Sequence, residues 1–319
     1  MYRKQTVLVI LNILLPLLML AQSKNNPAFR LVPLGVLGGI DESNLSAYML
    51  APTGSNNYIC LDAGTLHYGI QKAAVNKVFT VPGDKVLNQY IKGYFISHAH
   101  LDHIAGLIIN SPEDSTKNIY GLQSTIETIK THYFTWESWA NFADQGETPA
   151  LKKYHYQVLV PGTETTIENT DLKVWAFPLS HSNLISTAYL VNSNNNYILY
   201  LGDTGPDAIE KSNNLQNLWQ AIAPLVKSKK LKAILIEVSF PNEQPDKTLF
   251  GHLTPHWLMA EMDKLAALTS PDELKGLNIV VTHLKPPVSS ITKIKAQLKA
   301  ANKLQLNLIY PEQSKALNF

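Results

Sequence analysis

Four side chains of types that commonly bind metal ions lie within six residues of one another. His98, His100, Asp102 and His103 occur in the segment 95–106, where a strand pattern gives way to a helix pattern. His98 and His100 are two residues apart, so an extended segment directs both to the same side, where they can bind one ion. Asp102 and His103 are offset from that pair and can address a second ion nearby. Packing explains such a dense group poorly, and the segment therefore predicts a metal site.

Further candidate ligands each follow a predicted strand. Six residues cannot complete two coordination spheres, so other parts of the chain must contribute. His181, Asp203 and His283 come one to three residues after apolar runs that have the pattern of strands. A carboxylate such as Asp203 can bridge two cations because it carries two acceptor oxygens. Each residue alone could be an ordinary loop residue, but their shared position after strands indicates a common site.

The elements that must position these residues are mostly short strands, with helices between them. Strand patterns cover residues 29–35, 47–51, 58–62, 91–97, 154–160, 172–178, 188–191, 197–201, 233–238 and 277–282. Helical patterns cover residues 101–110, 123–132, 215–226, 255–267 and 291–302. No linker or break in composition separates two domains, so we expect one α/β domain over residues 22–319, with a sheet and covering helices in each half. The aromatic-rich segment 111–153 is either a lid or an ordinary packed helical insertion.

The motif at 98–103, HxHxDH, resembles the signature of the metallo-β-lactamase superfamily. The longer run 98–111, HAHLDHIAGLIINS, is similar to the signature of the class II 3′,5′-cyclic nucleotide phosphodiesterases within it. Supporting pieces occur at 39–48, 61–65, 202–203, 237–240, 251–255 and 282–283. The resemblance extends over roughly residues 30–310. It implies an α/β fold of the αββα sandwich type, with a di-metal site at one edge.

The resemblance also implies two divalent metal ions and assigns their ligands. The first ion would take His98, His100 and His181, the second Asp102, His103 and His283, and Asp203 would bridge them. Imidazole together with carboxylate suits Zn²⁺. The same ligand types are also compatible with Mn²⁺ and Fe²⁺.

The implied reaction is hydrolysis of a 3′,5′-cyclic nucleotide, with cyclic AMP the favoured substrate. A hydroxide bridging the two cations would attack phosphorus and expel the 3′ oxygen, giving a nucleoside 5′-monophosphate. Metal binding makes this feasible because it lowers the pKa of water from 15.7 towards about 7. Asp102, also a ligand, and His252 are the candidate catalytic residues. His252 either contacts the phosphate or protonates the leaving group, or it is a structural histidine.

Composition excludes a protein that coats nucleic acid. The 319 residues include 27 Lys and Arg against 25 Asp and Glu, a net charge of +2. Arg3 and Arg30 are the only arginines, so guanidinium groups that could bind phosphate are scarce. Bound cations would instead carry the positive charge, and the expected partner is a small-molecule cyclic nucleotide rather than nucleic acid.

Residues 1–21 have the pattern of a cleaved secretory signal peptide. Arg3 and Lys4 precede an apolar stretch, and the small residue Ala21 precedes polar residues. A membrane anchor is the alternative, but the stretch is shorter than the roughly 20 residues that a span needs, and Pro16 interrupts it. We therefore expect a secreted or periplasmic protein without stable membrane association after cleavage. The oligomeric state is not predicted.

Several other functions fit parts of the pattern. Another hydrolase of the same fold, such as a general phosphodiesterase, a lactonase or a β-lactamase, is the nearest alternative. A mononuclear-iron oxidoreductase is disfavoured because ligands for both metal positions are present. A binding protein without catalysis is disfavoured by the intact ligand set.

Overall fold

Two seven-stranded sheets form the centre of the protein in a computed structural model, which describes residues 27–319. The first sheet has the strand order β14-β1-β2-β3-β4-β5-β6 and contains β1 (Phe29–Gly35), β2 (Ala47–Pro52), β3 (Tyr58–Leu61), β4 (Ile91–Phe95), β5 (Lys117–Gly121), β6 (Tyr154–Val158) and β14 (Leu317–Asn318). The second has the order β13-β12-β11-β10-β9-β8-β7 and contains β7 (Thr165–Thr166), β8 (Lys173–His181), β9 (Leu184–Ser193), β10 (Asn196–Leu201), β11 (Leu231–Glu237), β12 (Asn278–Thr282) and β13 (Asn307–Ile309).

Helices cover the outer face of each sheet. The first half contains α1 (His67–Val75), α2 (Gly83–Lys85), a π-helical turn (Val86–Tyr90), α3 (Leu101–Asn110) and α4 (Gln123–His132). The second contains α5 (Asp207–Glu210), α6 (Asn214–Lys227), a 3₁₀ turn (Asp246–Thr248), α7 (Pro255–Leu268), α8 (Pro271–Leu274) and α9 (Val288–Ala301). Among residues 27–319, no helix has both the length and the apolar character needed to cross a membrane.

The core has three apolar layers, which follow from strands that are buried on both faces. Phe95, Tyr189 and Tyr200 belong to the layer between the two sheets. Ile104 of α3 lies in the layer beneath the helices of the first sheet, and Trp219 of α6 lies in the corresponding layer of the second. The order of layers is therefore helix, sheet, sheet, helix, and the predicted αββα sandwich is confirmed.

Parallel pairing brings the candidate ligands to one edge of the sandwich. In the first sheet β3 pairs with β4 in parallel, and in the second β10, β11 and β12 are mutually parallel neighbours. The carboxyl ends of parallel strands meet at a common edge, where sites usually form. The loops that follow β4, β10 and β12 begin the segments carrying His98, Asp203 and His283.

Three of the differences between the predicted and the observed elements bear on the site or on the order of the first sheet. β8 continues to His181 rather than ending at residue 178, because its hairpin with β9 stays in register as far as the pair His181 and Leu184. β4 ends at Phe95, two residues before the predicted end at residue 97, and His98 lies in the loop that follows. Part of the segment 111–153 is neither lid nor helical insertion, since β5 lies inside the first sheet between β4 and β6. The predicted signal peptide lies outside the described residues.

Candidate metal centre

Three histidines form the first part of the site: His98 and His100 come from the segment between β4 and α3, and His181 is the last residue of β8. The Nε2 atom of His98 lies 3.0 Å from Nδ1 of His100, and Nε2 of His181 lies 3.3 Å from that same Nδ1. One ligand atom from each of the three residues lies within 4.8 Å of the others. His98 and His181 are buried, whereas His100, directly before α3, is exposed. The three nitrogens therefore enclose a space that one cation could share.

A second group of three lies beside the first. Asp102 and His103, on the first turn of α3, come together with His283 from the loop after β12, again within 4.8 Å. Nε2 of His283 is 3.1 Å from Oδ2 of Asp102, which also accepts a hydrogen bond from the Gly39 amide at 3.0 Å. The sequence separates His283 from α3 by about half the chain, and only the packing of the two sheets brings them together.

Asp203 joins the two groups. Its Oδ2 atom lies 3.3 Å from Nε2 of both His103 and His283. The same oxygen is 3.9 Å from Nε2 of His98 and of His181. The carboxylate is buried, so these four nitrogens approach an acceptor that water reaches little. The structure thus brings all seven predicted ligands into one cluster with Asp203 at its centre.

In each buried histidine among the predicted ligands, the ring nitrogen that points away from the cluster has a hydrogen-bond partner. The other ring nitrogen points into the cluster. Nδ1 of His181 donates to the carbonyl of Gly251 at 2.8 Å, and Nδ1 of His103 donates to Asp62 at 2.7 Å. Ser97 Oγ donates to Asp62 and therefore accepts from Nδ1 of His98 at 3.1 Å. Such outer contacts fix the imidazole tautomer and direct the other nitrogen at a metal.

Ser239 holds His283 in the same way. Its hydroxyl donates to Oε2 of Glu237 at 2.7 Å and so accepts from Nδ1 of His283 at 2.9 Å. Nε2 of His283 is then the nitrogen that faces Asp102 and Asp203. Four histidines are therefore arranged alike: when the ring is neutral, Nδ1 carries the proton and Nε2 directs its lone pair into the cluster.

One buried atom shows that the cluster suits a cation. Nε2 of His103 is buried and has no hydrogen-bond partner among residues 27–319. In the neutral ring the other nitrogen carries the proton given to Asp62, so Nε2 presents a lone pair towards Asp203. A lone pair that faces a carboxylate without a proton between them is unfavourable unless a cation lies between. The donor set of imidazoles and carboxylates fits two divalent ions.

The electrostatics favour neutral rings at His98 and His181 beside an ionised Asp203. Burial, together with the neighbouring His103, holds the pKa of His98 well below its usual range, and burial lowers the pKa of His181 to about 4. Burial alone would raise the pKa of Asp203, but the surrounding His283 and His103 bring it well below the usual range. His103 differs from His98 and His181: burial alone would lower its pKa, but the carboxylates of Asp203, Asp62 and Asp102 raise it well above its usual range. Binding of a cation at His103 therefore releases a proton from its ring.

His252 lies against the cluster on the side of β11. Its Nδ1 is 3.7 Å from Asp203 Oδ2 and 2.8 Å from Glu237 Oε1. Its ring is nearly parallel to that of His283, with centroids 5.4 Å apart. Burial is the main cause that lowers the pKa of His252 to about 4, and burial with the nearby Asp203 raises the pKa of Glu237 to about 7. His252 is thus close enough to act on a bound substrate.

The sequence prediction missed several residues that hold the site. Asp62, Ser97 and Ser239 orient ligands, and Lys285 lies 2.8 Å from His252 Nε2. Asp62 was the last residue of the predicted strand 58–62, whereas in the structure it directly follows β3, much as Asp203 follows β10. Ser97 and Ser239 carry no such signal, since single serines near strand ends are common in loops.

Relatives of known class match almost the whole chain. The 3′,5′-cyclic-nucleotide phosphodiesterase of Aliivibrio fischeri is 44% identical over 313 residues, which covers 93% of this chain and 94% of the relative. A probable 3′,5′-cyclic-nucleotide phosphodiesterase of Yersinia pestis is 38% identical, covering 94% of this chain and 92% of its own length. The family model for class-II cAMP phosphodiesterases matches residues 80–313.

Solved structures show the same fold. Unliganded yeast PDE1 superposes with a TM-score of 0.80 at 23% identity, over 92% of this chain and all of that one. The metallo-β-lactamase fold protein YhfI of Bacillus subtilis gives a TM-score of 0.59 at 15% identity, over 91% of this chain and 99% of its own. The resemblance seen in the sequence is confirmed, and the chain belongs to the family of class-II cAMP phosphodiesterases.

Proposed function

We propose that the protein is a metal-dependent phosphodiesterase that hydrolyses 3′,5′-cyclic nucleotides to nucleoside 5′-monophosphates. The observation that carries this proposal is the convergence of imidazole nitrogens on Asp203 in a chain of this family. Cyclic AMP is the proposed substrate because the family description names it. The two Dictyostelium discoideum relatives are named for both cyclic AMP and cyclic GMP, so cyclic GMP is the necessary comparison.

The proposed cofactors are two divalent cations, with Zn²⁺ the first choice. His98, His100 and His181 would hold one, Asp102, His103 and His283 the other, with Asp203 shared. Such ions supply a water of lowered pKa as nucleophile and neutralise charge on the phosphoryl oxygens.

The residues of the chain contribute orientation and exclusion of water. Asp62 and Ser239 keep His103 and His283 in the tautomer that coordinates, and the Gly251 carbonyl does the same for His181. Burial of Asp203 keeps its charge poorly screened, so a cation there interacts strongly with it. The cluster is thus arranged before substrate arrives, which is the condition for electrostatic catalysis.

A direct assay tests this proposal. Purified protein would be treated with a chelator, reloaded with Zn²⁺ or Mn²⁺, and assayed against 3′,5′-cyclic AMP, 3′,5′-cyclic GMP, 2′,3′-cyclic AMP and a β-lactam. We expect hydrolysis of the 3′,5′-cyclic nucleotides only in the reloaded protein. Activity restricted to the β-lactam or to 2′,3′-cyclic AMP would assign a different hydrolase, and undiminished activity after complete metal removal would exclude the metal centre.

We also infer a secreted or periplasmic location from the pattern of residues 1–21. N-terminal sequencing of the protein isolated from cell fractions would test it. The expected result is a mature N-terminus at or near Gln22 in the extracytoplasmic fraction. Recovery of a cytoplasmic chain that keeps Met1 would contradict the inference.

A further inference from the structure

A lysine that the sequence did not predict to belong to the site lies against the cluster. Lys285 lies two residues after His283 in the loop that follows β12, and its side chain is half-buried. Its Nζ atom is 2.8 Å from Nε2 of His252 and 5.1 Å from the ring centre of Phe240. The contact with the aromatic face and the contact with His252 together hold the ammonium group in one place.

The direction of the hydrogen bond decides what His252 can do. An ammonium group only donates, so Nε2 of His252 must accept from Lys285. The proton of the neutral imidazole is then on Nδ1, which donates to Oε1 of Glu237 at 2.8 Å. In this arrangement Nε2 has no proton to give. Glu237 and His252 thus form a chain that ends at Lys285 and orients it.

Lys285 brings a positive charge to this edge of the sandwich, beside His252. Arg30 is the one arginine within the described residues, and its guanidinium donates to the carbonyl of Val78. Only one of the three N–H groups of Lys285 is used by His252, which leaves two for another acceptor. A phosphodiester anion lying over the neighbouring metal cluster is an acceptor of matching charge.

We propose that Lys285 is a substrate-binding residue that donates a hydrogen bond to a non-bridging phosphoryl oxygen of the cyclic nucleotide. This inference rests on the proposed function of the cluster. His252 and Glu237 are then positioning residues for Lys285. No proton is transferred by Lys285, and its contribution is a hydrogen bond and a positive charge beside the phosphate.

The test compares Lys285→Met, which keeps the length without the charge, with Lys285→Arg, which keeps the charge. Lys229→Met is the matched control, because Lys229 pairs with Glu273 before β11, at the strand end opposite the cluster. Loss of a hydrogen bond to a charged group predicts a fall in kcat/KM of roughly 10- to 100-fold for Lys285→Met, mainly through KM. We expect zinc content and Tm to match those of the unsubstituted protein, and Lys285→Arg to recover most of the loss.

Binding measurements keep this inference separable from the proposed function. Calorimetric titration of zinc-loaded protein with adenosine 5′-monophosphate or inorganic phosphate should show weaker binding in Lys285→Met and unchanged binding in Lys229→Met. If the unsubstituted protein hydrolyses no cyclic nucleotide, the proposed function fails while the binding comparison still tests Lys285. Equal kcat/KM and equal phosphate affinity in Lys285→Met, or an absence of phosphate binding by every form, would overturn the assignment.

Discussion

Asp62 and His103 are joined by a hydrogen bond of 2.7 Å between the carboxylate Oδ2 and the imidazole Nδ1, both fully buried. The same carboxylate accepts hydrogen bonds from the Ser97 amide and hydroxyl, each at 2.7 Å, and from the Tyr200 hydroxyl at 2.5 Å. Asp62 therefore links the first sheet, the second sheet and the candidate metal cluster. Its position makes it a structural centre of the site although it is not a proposed ligand.

Replacing Asp62 by alanine should weaken metal binding and stability together. His103 loses the partner that fixes its tautomer, and loss of such a partner typically reduces metal affinity by about 10- to 100-fold. Three buried donors also lose their acceptor, so the free energy of unfolding should fall by about 3 kcal/mol or more. Zinc competition titrations and urea denaturation measure the two effects. Asp171→Ala, at an exposed turn, is the control, and equal zinc affinity in Asp62→Ala would contradict the orienting role.

The strand-end pattern brought the predicted ligands together because it reflects topology. Asp203 and His283 follow β10 and β12, whose parallel pairing through β11 places their ends at one edge. His181 ends β8, which runs in the same direction as β10 because both pair with β9 in antiparallel fashion. Asp62 obeys the same rule after β3, but the sequence analysis placed it only in the supporting piece 61–65 and not among the ligands. Contacts made across the two sheets, such as Tyr200 with Asp62, have no local signature at all.

β5 shows why one central strand could not be predicted. Its sequence KNIYG lacks an apolar run and begins with a charged residue. Lys117 is nevertheless buried, because its ammonium group forms an ion pair with the buried Asp114. Tyr94 and Tyr154 donate hydrogen bonds to the same carboxylate at 2.6 and 2.8 Å. A buried polar network, not hydrophobic periodicity, places this strand, and single-residue patterns do not reveal such networks.

Asp203→Ala should abolish cyclic-nucleotide hydrolysis while the fold is kept. The carboxylate lies within 3.9 Å of the Nε2 atoms of all four buried ligand histidines, His98, His103, His181 and His283, so its removal takes away the negative charge that they share. We expect activity to fall to that of the chelated protein, with far-UV circular dichroism unchanged. Asp263→Ala, an exposed residue of α7, should behave like the unsubstituted protein. Substantial activity in Asp203→Ala at low metal content would exclude the proposed bridging role.

Gly38→Ala should disturb the second metal position selectively. A Cβ atom on Gly38 would lie 2.2 Å from Cε1 of His283, which is far inside van der Waals contact. The ring of His283 must move, and with it the nitrogen that faces Asp102 and Asp203. Zinc content measured by mass spectrometry should fall from about two ions per chain towards about one, with a parallel loss of activity. Ile40→Ala, where the side chain is 86% exposed, should change neither value, and full zinc content in Gly38→Ala would contradict the assignment of His283.

His252→Ala separates protonation of the leaving group from positioning. A general acid assists a poor leaving group such as a sugar oxygen far more than p-nitrophenolate, by on the order of 100-fold. Because Nε2 of His252 accepts from Lys285, the positioning role predicts losses on 3′,5′-cyclic AMP and on bis(p-nitrophenyl) phosphate that agree within about threefold. His256→Ala, in the first turn of α7 and exposed, controls for removal of an imidazole. A much larger loss on the cyclic nucleotide would show that His252 protonates the leaving group. The imidazole of His252 would then have to carry its proton on Nε2, contrary to its hydrogen bonds with Glu237 and Lys285.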